Sequence, residues 1–243
     1  MTTQSNPKFA LVTGANKGIG KAIAQGLAAD GFVVYLGARD PERGKAAVAE
    51  LAAQGDVRFV PLDVTDAASV LAARQAIESE AGRLDVLVNN AGIGFAPGSR
   101  FREPIHESAD NLRAVYETNV FAVVTVTNAF IPLLMNSAAG RIVNVTSKRG
   151  SIGEDGAWVG RPNMAYSSSK TALNAITVHY ARSLTTTSIK VNGAAPGHVA
   201  TDFNAFRGTR TPEQGAAVAI RLAQLDQDGP TGLVFEDDTQ LAW

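Results

Sequence analysis

Tyr166 and Lys170 lie four residues apart in the segment AYSSSK, which spans 165–170. In a helix, residues i and i+4 lie on one face, so the phenol and the ammonium would act on the same small volume. A phenol can give a proton to an oxygen that gains negative charge, and a neighbouring cation favours the phenolate that remains. The spacing therefore predicts proton transfer at a reacting oxygen, although Tyr and Lys at this spacing are more often an ordinary phenol beside a solvated charge.

A second candidate site is the glycine-rich segment TGANKGIG at 13–20, which follows an apolar strand pattern and precedes an amphipathic helix pattern. Its glycines would allow a tight turn and close backbone approach to a pyrophosphate at the helix N-terminus. The phosphate loop of ATPases is excluded, because Ile19 takes the place of its second glycine and Ala22 takes the place of its Ser or Thr. The segment predicts a bound dinucleotide, and a tight turn without a ligand is the alternative.

The elements that would position these residues alternate along the chain. Alanine-rich stretches of helical periodicity separate seven short apolar segments, which predict buried parallel strands: KFALVTG, FVVYLGA, VRFVPLD, LDVLVNN, RIVNVTS, IKVNGAAP and GLVFED. This alternation predicts an α/β, doubly wound, Rossmann-type sheet of seven parallel strands with helices on both faces. We expect a single domain over 1–243, with cofactor binding in its N-terminal half and catalysis and substrate binding in its C-terminal half.

Composition excludes several classes of function. The chain has 243 residues, a formal net charge of −1 and no cysteine. Scattered basic residues argue against nucleic-acid binding, and the absence of cysteine excludes disulfides, thiol nucleophiles and cysteine-ligated zinc. The three histidines show no metal-ligand spacing, and no apolar run reaches the roughly 18 residues of a membrane span. We therefore expect a soluble, cytoplasmic protein without a metal.

Polar residues follow three of the predicted strands. Asp63 and Val64 end one strand, NNAG at 89–92 ends another, and VTS at 145–147 ends a third. Ligands of doubly wound sheets bind at the carboxyl ends of the strands, so these residues are expected to line the site. Each could alone be a solvated turn or an Asx turn.

Several motifs together resemble the short-chain dehydrogenase/reductase family across the whole chain: TGANKGIG, NNAG, ETN at 117–119, NVTS ending at Ser147, YSSSK and PGHVATD at 196–202. Within this family the chain is most similar to the NADPH-dependent carbonyl reductases. The resemblance implies hydride transfer between a nicotinamide and a ketone, aldehyde or quinone carbonyl.

The resemblance also implies a catalytic tetrad of Asn119, Ser147, Tyr166 and Lys170. Tyr166 would be the acid, with a pKa lowered by the Lys170 ammonium and by the positive nicotinamide. Lys170 would also bind the nicotinamide ribose, Ser147 the carbonyl oxygen, and Asn119 would support a water-linked proton relay. Thr146 is the rival hydroxyl to Ser147, and the family motif favours Ser147.

The choice of nicotinamide depends on the segment GARDP. Asp40 lies 20 residues after the glycine segment, where an acid often binds the NAD ribose. Asp40 also precedes a proline, however, so an N-cap role explains it without a ligand. In the family the NAD-selecting acid sits at the strand end, here Ala38, and an arginine in the next position marks NADP enzymes. Arg39 fills that position and Lys17 adds a second cation, so we predict NADPH.

The glycine segment, the strand ends and the resemblance together predict the residues that bind the cofactor. They are Gly14, Asn16, Lys17, Gly18, Ile19, Gly20, Arg39, Asp63, Val64, Asn90, Ala91, Gly92, Val145, Tyr166, Lys170, Pro196, Gly197, Val199 and Thr201.

The substrate is expected to contact Ser147, Tyr166, Trp158 and Phe203. Trp158 lies in a long segment, 148–163, that should cover the substrate, and an exposed loop with an incidental Trp is the alternative. This segment is much shorter than in monomeric animal carbonyl reductases, where an insertion blocks a shared helical interface, so a homo-oligomer is left open. A 3-oxoacyl-thioester reductase and a non-catalytic dinucleotide-binding sensor or scaffold are the alternative functions.

Overall fold

A computed structural model describes residues 7–243 of the chain. Its strands are β1 Phe9–Thr13, β2 Val33–Ala38, β3 Val57–Pro61, β4 Val86–Asn89, β5 Arg141–Val145, β6 Lys190–Ala194, β7 Val234–Glu236 and β8 Thr239–Gln240. Its α-helices are α1 Gly18–Ala29, α2 Pro41–Leu51, α3 Ala67–Ala81, α4 Ala109–Tyr116, α5 Ala122–Met135, α6 Met164–Ser183 and α7 Pro212–Ala223.

The strands form one sheet in the order β3-β2-β1-β4-β5-β6-β7-β8. All neighbours from β3 to β7 are parallel, so the predicted doubly wound α/β sheet of seven parallel strands is confirmed. The strand β8 was not predicted, and it pairs antiparallel with β7 at the edge. The strand order reverses between β1 and β4, and ligands bind at such a switch point in this class of fold.

Helices cover both faces of the sheet because each inner strand is apolar on both sides. In β1, Ala10 and Val12 belong to a core with residues of α1, α2 and α7, whereas Leu11 belongs to a second core with residues of α3, α5 and α6. Successive residues of a strand point to opposite faces, so one short strand contributes to both cores. This double burial is why the strands are continuously apolar rather than alternating.

The start of α2 settles the structural role of Asp40. Its carboxylate accepts hydrogen bonds from the backbone N–H groups of Glu42 and Arg43, at 3.1 Å each, and Pro41 is the first helical residue. Asp40 is therefore an N-cap, as its position before a proline predicted. The strand before it ends at Ala38, so Arg39 is the first residue beyond β2.

The helices α4 and α5 are joined by a π-helical turn, Glu117–Phe121, into one long helical stretch. Within the described residues, this stretch, Ala109–Met135, is long and apolar enough to cross a membrane, with a mean hydropathy of 1.6. Half of its most apolar window is buried inside the protein. Since Val126, Phe130 and Leu133 belong to the core beneath the sheet, the stretch is a core helix here.

The amino edge of the sheet contains a cavity of about 350 Å³, and Arg141 lies in its wall. This guanidinium is only 2% exposed and donates to the carbonyls of Leu225 at 2.8 Å, Gly140 at 2.7 Å and Ser188 at 3.1 Å. Its donors are thus used to hold loops together. The cavity lies at the edge opposite to the predicted site. The buried charge in its wall is explained by a structural role, since Arg141 joins three loop carbonyls.

We expect Arg141→Ala to lower the free energy of unfolding by about 3 kcal/mol, roughly 1 kcal/mol for each carbonyl left without its donor. Urea denaturation would measure the loss. Arg113→Ala is the matched control, because Arg113 is exposed and its pair with Asp110 is worth at most about 1 kcal/mol. Equal losses in the two variants would contradict a bridging role for Arg141.

Candidate active site

The predicted site residues that follow β1 and β4 meet at the carboxyl edge of the sheet. Thr13, the last residue of β1, accepts hydrogen bonds through its hydroxyl from the backbone N–H groups of Asn90 and Ala91, at 3.0 Å each. The Asn90 amide donates to the carbonyls of Thr13 and Gly14 at 2.9 and 3.1 Å. The segment after β4 is therefore fixed against the glycine segment. Sequence reasoning missed Thr13, although its position at a strand end was a signal.

The glycine segment has no room for side chains where it faces β4. Gly14 has a left-handed φ of 63°, and a Cβ there would lie 3.0 Å from the Cα of Ala91. A Cβ at Gly20 would clash with the amide of Asn90 and lie 2.7 Å from the Gly14 carbonyl oxygen. Gly18 begins α1, so the free N–H groups of the helix face this edge.

The other residues of the glycine segment differ in environment. Asn16 is half-buried in the turn, and Ile19 packs against the core. The Lys17 ammonium pairs with Asp202 at 2.7 Å, across from the segment that follows β6. Lys17 was predicted to bind a 2′-phosphate, and the structure gives it a carboxylate partner instead. Both side chains are about half exposed, so the pair is worth at most about 1 kcal/mol and leaves the ammonium available to a phosphate.

The segment after β6 closes the site from the opposite side. Pro196 and Val199 are buried, and Gly197 has a φ of 76°. Thr201 is buried beside the glycine segment, where its methyl group would lie 3.3 Å from a Cβ at Gly18. The predicted residues of 196–201 thus lie across from the predicted pyrophosphate loop.

Arg39, Asp63 and Val64 lie together at the ends of β2 and β3. The carboxylate of Asp63 accepts from the backbone N–H and the hydroxyl of Thr65, at 3.0 and 2.7 Å. These bonds, and to a smaller extent the Arg39 charge, lower the pKa of Asp63. Asp63 therefore makes an Asx turn while it stays near Arg39, and Val64 is partly buried against the core.

Lys170 is the most enclosed charge of the candidate site. The residue is 5% exposed, and its ammonium donates to the Val145 carbonyl at 2.8 Å. The ammonium lies 5.7 Å from the centroid of the Tyr166 ring, so the helical pair predicted from YSSSK is brought together on α6. Gly92 lies beside it, since a Cβ there would be 3.6 Å from the ammonium. Burial lowers the pKa of Lys170 to about 8.

The pKa of Tyr166 differs from the prediction. Burial of the phenol raises its pKa, and the Ser147 hydroxyl and the Arg149 charge only partly oppose this effect. The prediction that Lys170 lowers it is therefore wrong as far as the groups of the protein are concerned. The physical reason is desolvation, which disfavours the phenolate more than these neighbours favour it.

Asn119 lies in the π-helical turn between α4 and α5 and is fully buried. Its side chain exchanges two hydrogen bonds with the backbone of Ile93, at 2.8 and 2.9 Å, and donates to the Ser169 hydroxyl at 3.0 Å. Ser169 donates to the Tyr166 carbonyl at 2.7 Å. A chain of bonds thus joins Asn119 to α6, the helix that carries Tyr166 and Lys170, and π-helical turns occur often at functional sites. Ser169, between Tyr166 and Lys170 in the sequence, was not predicted.

Ser147 is the second residue beyond β5 and caps a short 3₁₀ turn, where its side-chain oxygen accepts from the backbone N–H of Arg149 at 3.2 Å. The rival hydroxyl, that of Thr146, is buried and donates to the Asn174 side chain at 2.6 Å. The Thr146 hydroxyl is therefore used in a buried hydrogen bond. The Ser147 hydroxyl is the one that interacts with the Tyr166 phenol and lowers its pKa against the effect of burial.

The two predicted aromatic contacts of the substrate differ. The Phe203 ring packs against the Tyr166 ring with centroids 5.4 Å apart, so it borders the candidate acid. Trp158 lies at the end of a 3₁₀ turn and is 87% exposed. The structure therefore brings Phe203 to the site but not Trp158, whose position matches the alternative of an exposed loop. Arg149, which acts on Tyr166, is a neighbour that sequence reasoning missed.

The family-level comparison agrees with this geometry. The model of the short-chain dehydrogenase family matches residues 8–211. A short-chain dehydrogenase of Penicillium roqueforti is 39% identical over 225 residues, which cover 88% of this chain and 87% of the relative. The chain belongs to the short-chain dehydrogenase family, as its motifs predicted.

Carbonyl reductases are among its relatives. Carbonyl reductase 1 of Mus musculus, named for NADPH, is 34% identical over 287 residues, covering 98% of this chain and 99% of the relative. The crystal structure of an NADPH-bound carbonyl reductase from chicken fatty liver has a TM-score of 0.87 and 28% identity, and covers 98% of this chain and 100% of that one.

Proposed function

We propose that this protein reduces a ketone, aldehyde or quinone carbonyl with NADPH. The observation that carries the proposal is the position of the Tyr166 phenol, which lies beside the Lys170 ammonium, the Ser147 hydroxyl and the Phe203 ring at the carboxyl edge of the sheet. An acid, a hydrogen-bond donor and a cation around one volume suit a carbonyl oxygen that becomes an alkoxide.

Each residue then has a defined task. Tyr166 donates its proton to the carbonyl oxygen, and its raised pKa keeps it protonated at neutral pH until the alkoxide develops. Ser147 donates a hydrogen bond to the same oxygen, and Lys170 stabilises the phenolate that Tyr166 becomes. Asn119 is a positioning residue, because it acts through Ser169 on the backbone of the catalytic helix.

The glycine segment fits a dinucleotide, since its backbone is bare where Gly14 and Gly20 approach β4 and since the N-terminus of α1 opens there. Gly14, Gly18 and Gly20 would hold the pyrophosphate, and Arg39 and Lys17 a 2′-phosphate. When bound, NADPH supplies the hydride that adds to the carbonyl carbon, and the alcohol and NADP⁺ result once the oxygen gains the phenolic proton. The NADPH of the carbonyl reductase relatives supports this choice of cofactor.

A substrate panel tests the reaction. Purified protein would be assayed with both nicotinamides against ketones, aldehydes, quinones and acyl thioesters, by following the absorbance of the reduced nicotinamide. We expect turnover with simple carbonyls and NADPH. Turnover restricted to acyl thioesters, or absent throughout, would contradict the proposal.

Arg39→Ala is expected to weaken the binding of NADPH by about tenfold to a hundredfold, because one charge-assisted bond to the 2′-phosphate is lost. The binding of NADH should change little. The KM values for the two cofactors measure this change. Arg43→Ala is the matched control, since Arg43 is exposed on the first turn of α2 and pairs with Asp40 at 3.3 Å. A wild type that prefers NADH, or an Arg39→Ala variant with unchanged preference, would overturn the NADPH assignment.

A further inference from the structure

The side chain of Arg149 crosses the base of the 148–163 segment. Its guanidinium donates to the carbonyl of Arg161, near the other end of the segment. The backbone N–H of Arg149 donates to the Ser147 side-chain oxygen at 3.2 Å. Two residues after Arg161, Asn163 caps the catalytic helix through the N–H of Tyr166, at 3.1 Å. The guanidinium therefore lies between the two segments that carry Ser147 and Tyr166.

This guanidinium has unused capacity to donate. Its Nε is buried and makes no hydrogen bond within residues 7–243, and a buried donor without a partner is costly. No carboxylate in that range lies within 4.0 Å of it, although the neighbouring Lys148 lies between Glu154 at 3.9 Å and Glu236 at 3.7 Å. The charge of Lys148 is thus balanced by the protein and that of Arg149 is not.

The charge of Arg149 is also close enough to Tyr166 to lower the pKa of the phenol against the effect of burial. An anion held by Arg149 would therefore lie near the reacting carbonyl. The segments 93–106 and 148–163, which border this region, contain five basic and three acidic residues, so the local charge favours the approach of an anion.

We infer that the substrate is a carbonyl compound with a carboxylate, and that Arg149 binds this carboxylate while the carbonyl oxygen faces Ser147 and Tyr166. The inference rests on the proposed carbonyl reduction and narrows its substrate to keto acids. A guanidinium suits this task because its planar set of N–H donors matches the two oxygens of a carboxylate. The Nη2 bond to the Arg161 carbonyl fixes the group in place, so little side-chain entropy is lost when the acid binds.

The test compares keto acids with their methyl esters, which have nearly the same shape but no charge. We expect the wild type to favour the acid in kcat/KM by about tenfold or more, the effect of a charge-assisted hydrogen bond. In Arg149→Gln this acid-to-ester ratio should fall to near one, whatever happens to the absolute rates, and Arg149→Lys should retain part of it. Arg102→Gln removes an exposed charge from the neighbouring segment and should keep the wild-type ratio.

Either of two kinetic outcomes overturns the inference: a wild type that treats acid and ester alike for every chain length tested, or a preference that survives in Arg149→Gln. A binding measurement separates this failure from failure of the proposed function. Calorimetric titration with the corresponding hydroxy acid should give at least tenfold weaker binding to Arg149→Gln than to the wild type, even if no carbonyl compound is reduced. Equal binding to both proteins would refute the carboxylate site by itself.

Discussion

Tyr166→Phe is expected to lower kcat for carbonyl reduction by about 10²- to 10⁴-fold, the usual contribution of a positioned general acid. The change removes one oxygen and keeps the ring, so the contact with Phe203 at 5.4 Å between centroids should persist. Binding of NADPH should persist as well. Steady-state kinetics and a fluorescence titration with the cofactor measure the two quantities separately.

Tyr180→Phe is the matched control, because it makes the same chemical change on the same helix. The Tyr180 hydroxyl donates to the Asn128 side chain at 2.8 Å and lies far along α6 from the candidate site. We expect the kcat of the Tyr180→Phe variant to stay within about twofold of the wild-type value. A Tyr166→Phe enzyme that is as active as this control would show that the phenol is not the acid.

Lys170→Met should lower kcat/KM by about 10²-fold or more, since it removes the cation that stabilises the phenolate in the transition state. The same change should raise the free energy of unfolding at pH 7. Burial lowers the pKa of this lysine from 10.5 to about 8, so the folded protein bears a cost of roughly 3 kcal/mol for the buried charge. The lost bond to the Val145 carbonyl offsets about 1 kcal/mol of the gain.

The sign of the pH dependence follows from the number of protons bound. Between pH 8 and pH 10.5 the unfolded chain keeps the proton that folded Lys170 has released, so this residue makes the wild type more stable as pH rises. Below pH 8 both states are protonated and the cost is constant. The stability advantage of Lys170→Met should therefore be largest at pH 7 and disappear as pH approaches 10.5. Carbonyl reduction by the wild type should also decline above pH 8, when the cation is lost.

Urea denaturation between pH 7 and pH 10 would test this prediction. Lys45→Met is the control, because Lys45 is exposed on α2 and the substitution is the same. We expect the stability of Lys45→Met to follow that of the wild type, because this variant keeps the buried Lys170. A Lys170→Met protein that is less stable than the wild type at pH 7 and gains relative stability with rising pH would contradict a buried ammonium.

In the proposed reaction Lys170 costs stability and contributes to turnover, which fits the general pattern in which active sites oppose the stability of the fold. Lys170 would be replaced by an apolar residue if packing alone decided its identity. The proposed proton transfer by the neighbouring phenol would explain a lysine in this buried position.

The order of strands and helices along the chain, the turn at the glycine segment and the cap at Asp40 could all be predicted from local sequence patterns. These features depend on short-range physics: apolar runs predict buried strands, a proline after Asp40 predicts a helix start, and glycines predict a turn without side chains. The spacing of Tyr166 and Lys170 likewise needed only helical geometry. The positions of the strand ends then followed, because the carboxyl ends of parallel strands meet at one edge.

The shifts of the pKa values in the site, and which side chains meet there, depend on how the folded chain packs. The pKa values of Tyr166 and Lys170 depend on desolvation by distant parts of the chain, and the pair of Lys17 with Asp202 joins residues far apart in the sequence. The exposure of Trp158 and the position of the Arg149 guanidinium depend on the path of an irregular segment, which periodicity does not specify. Local patterns fix backbone conformation, whereas solvation and charge at a site are sums over everything packed around it.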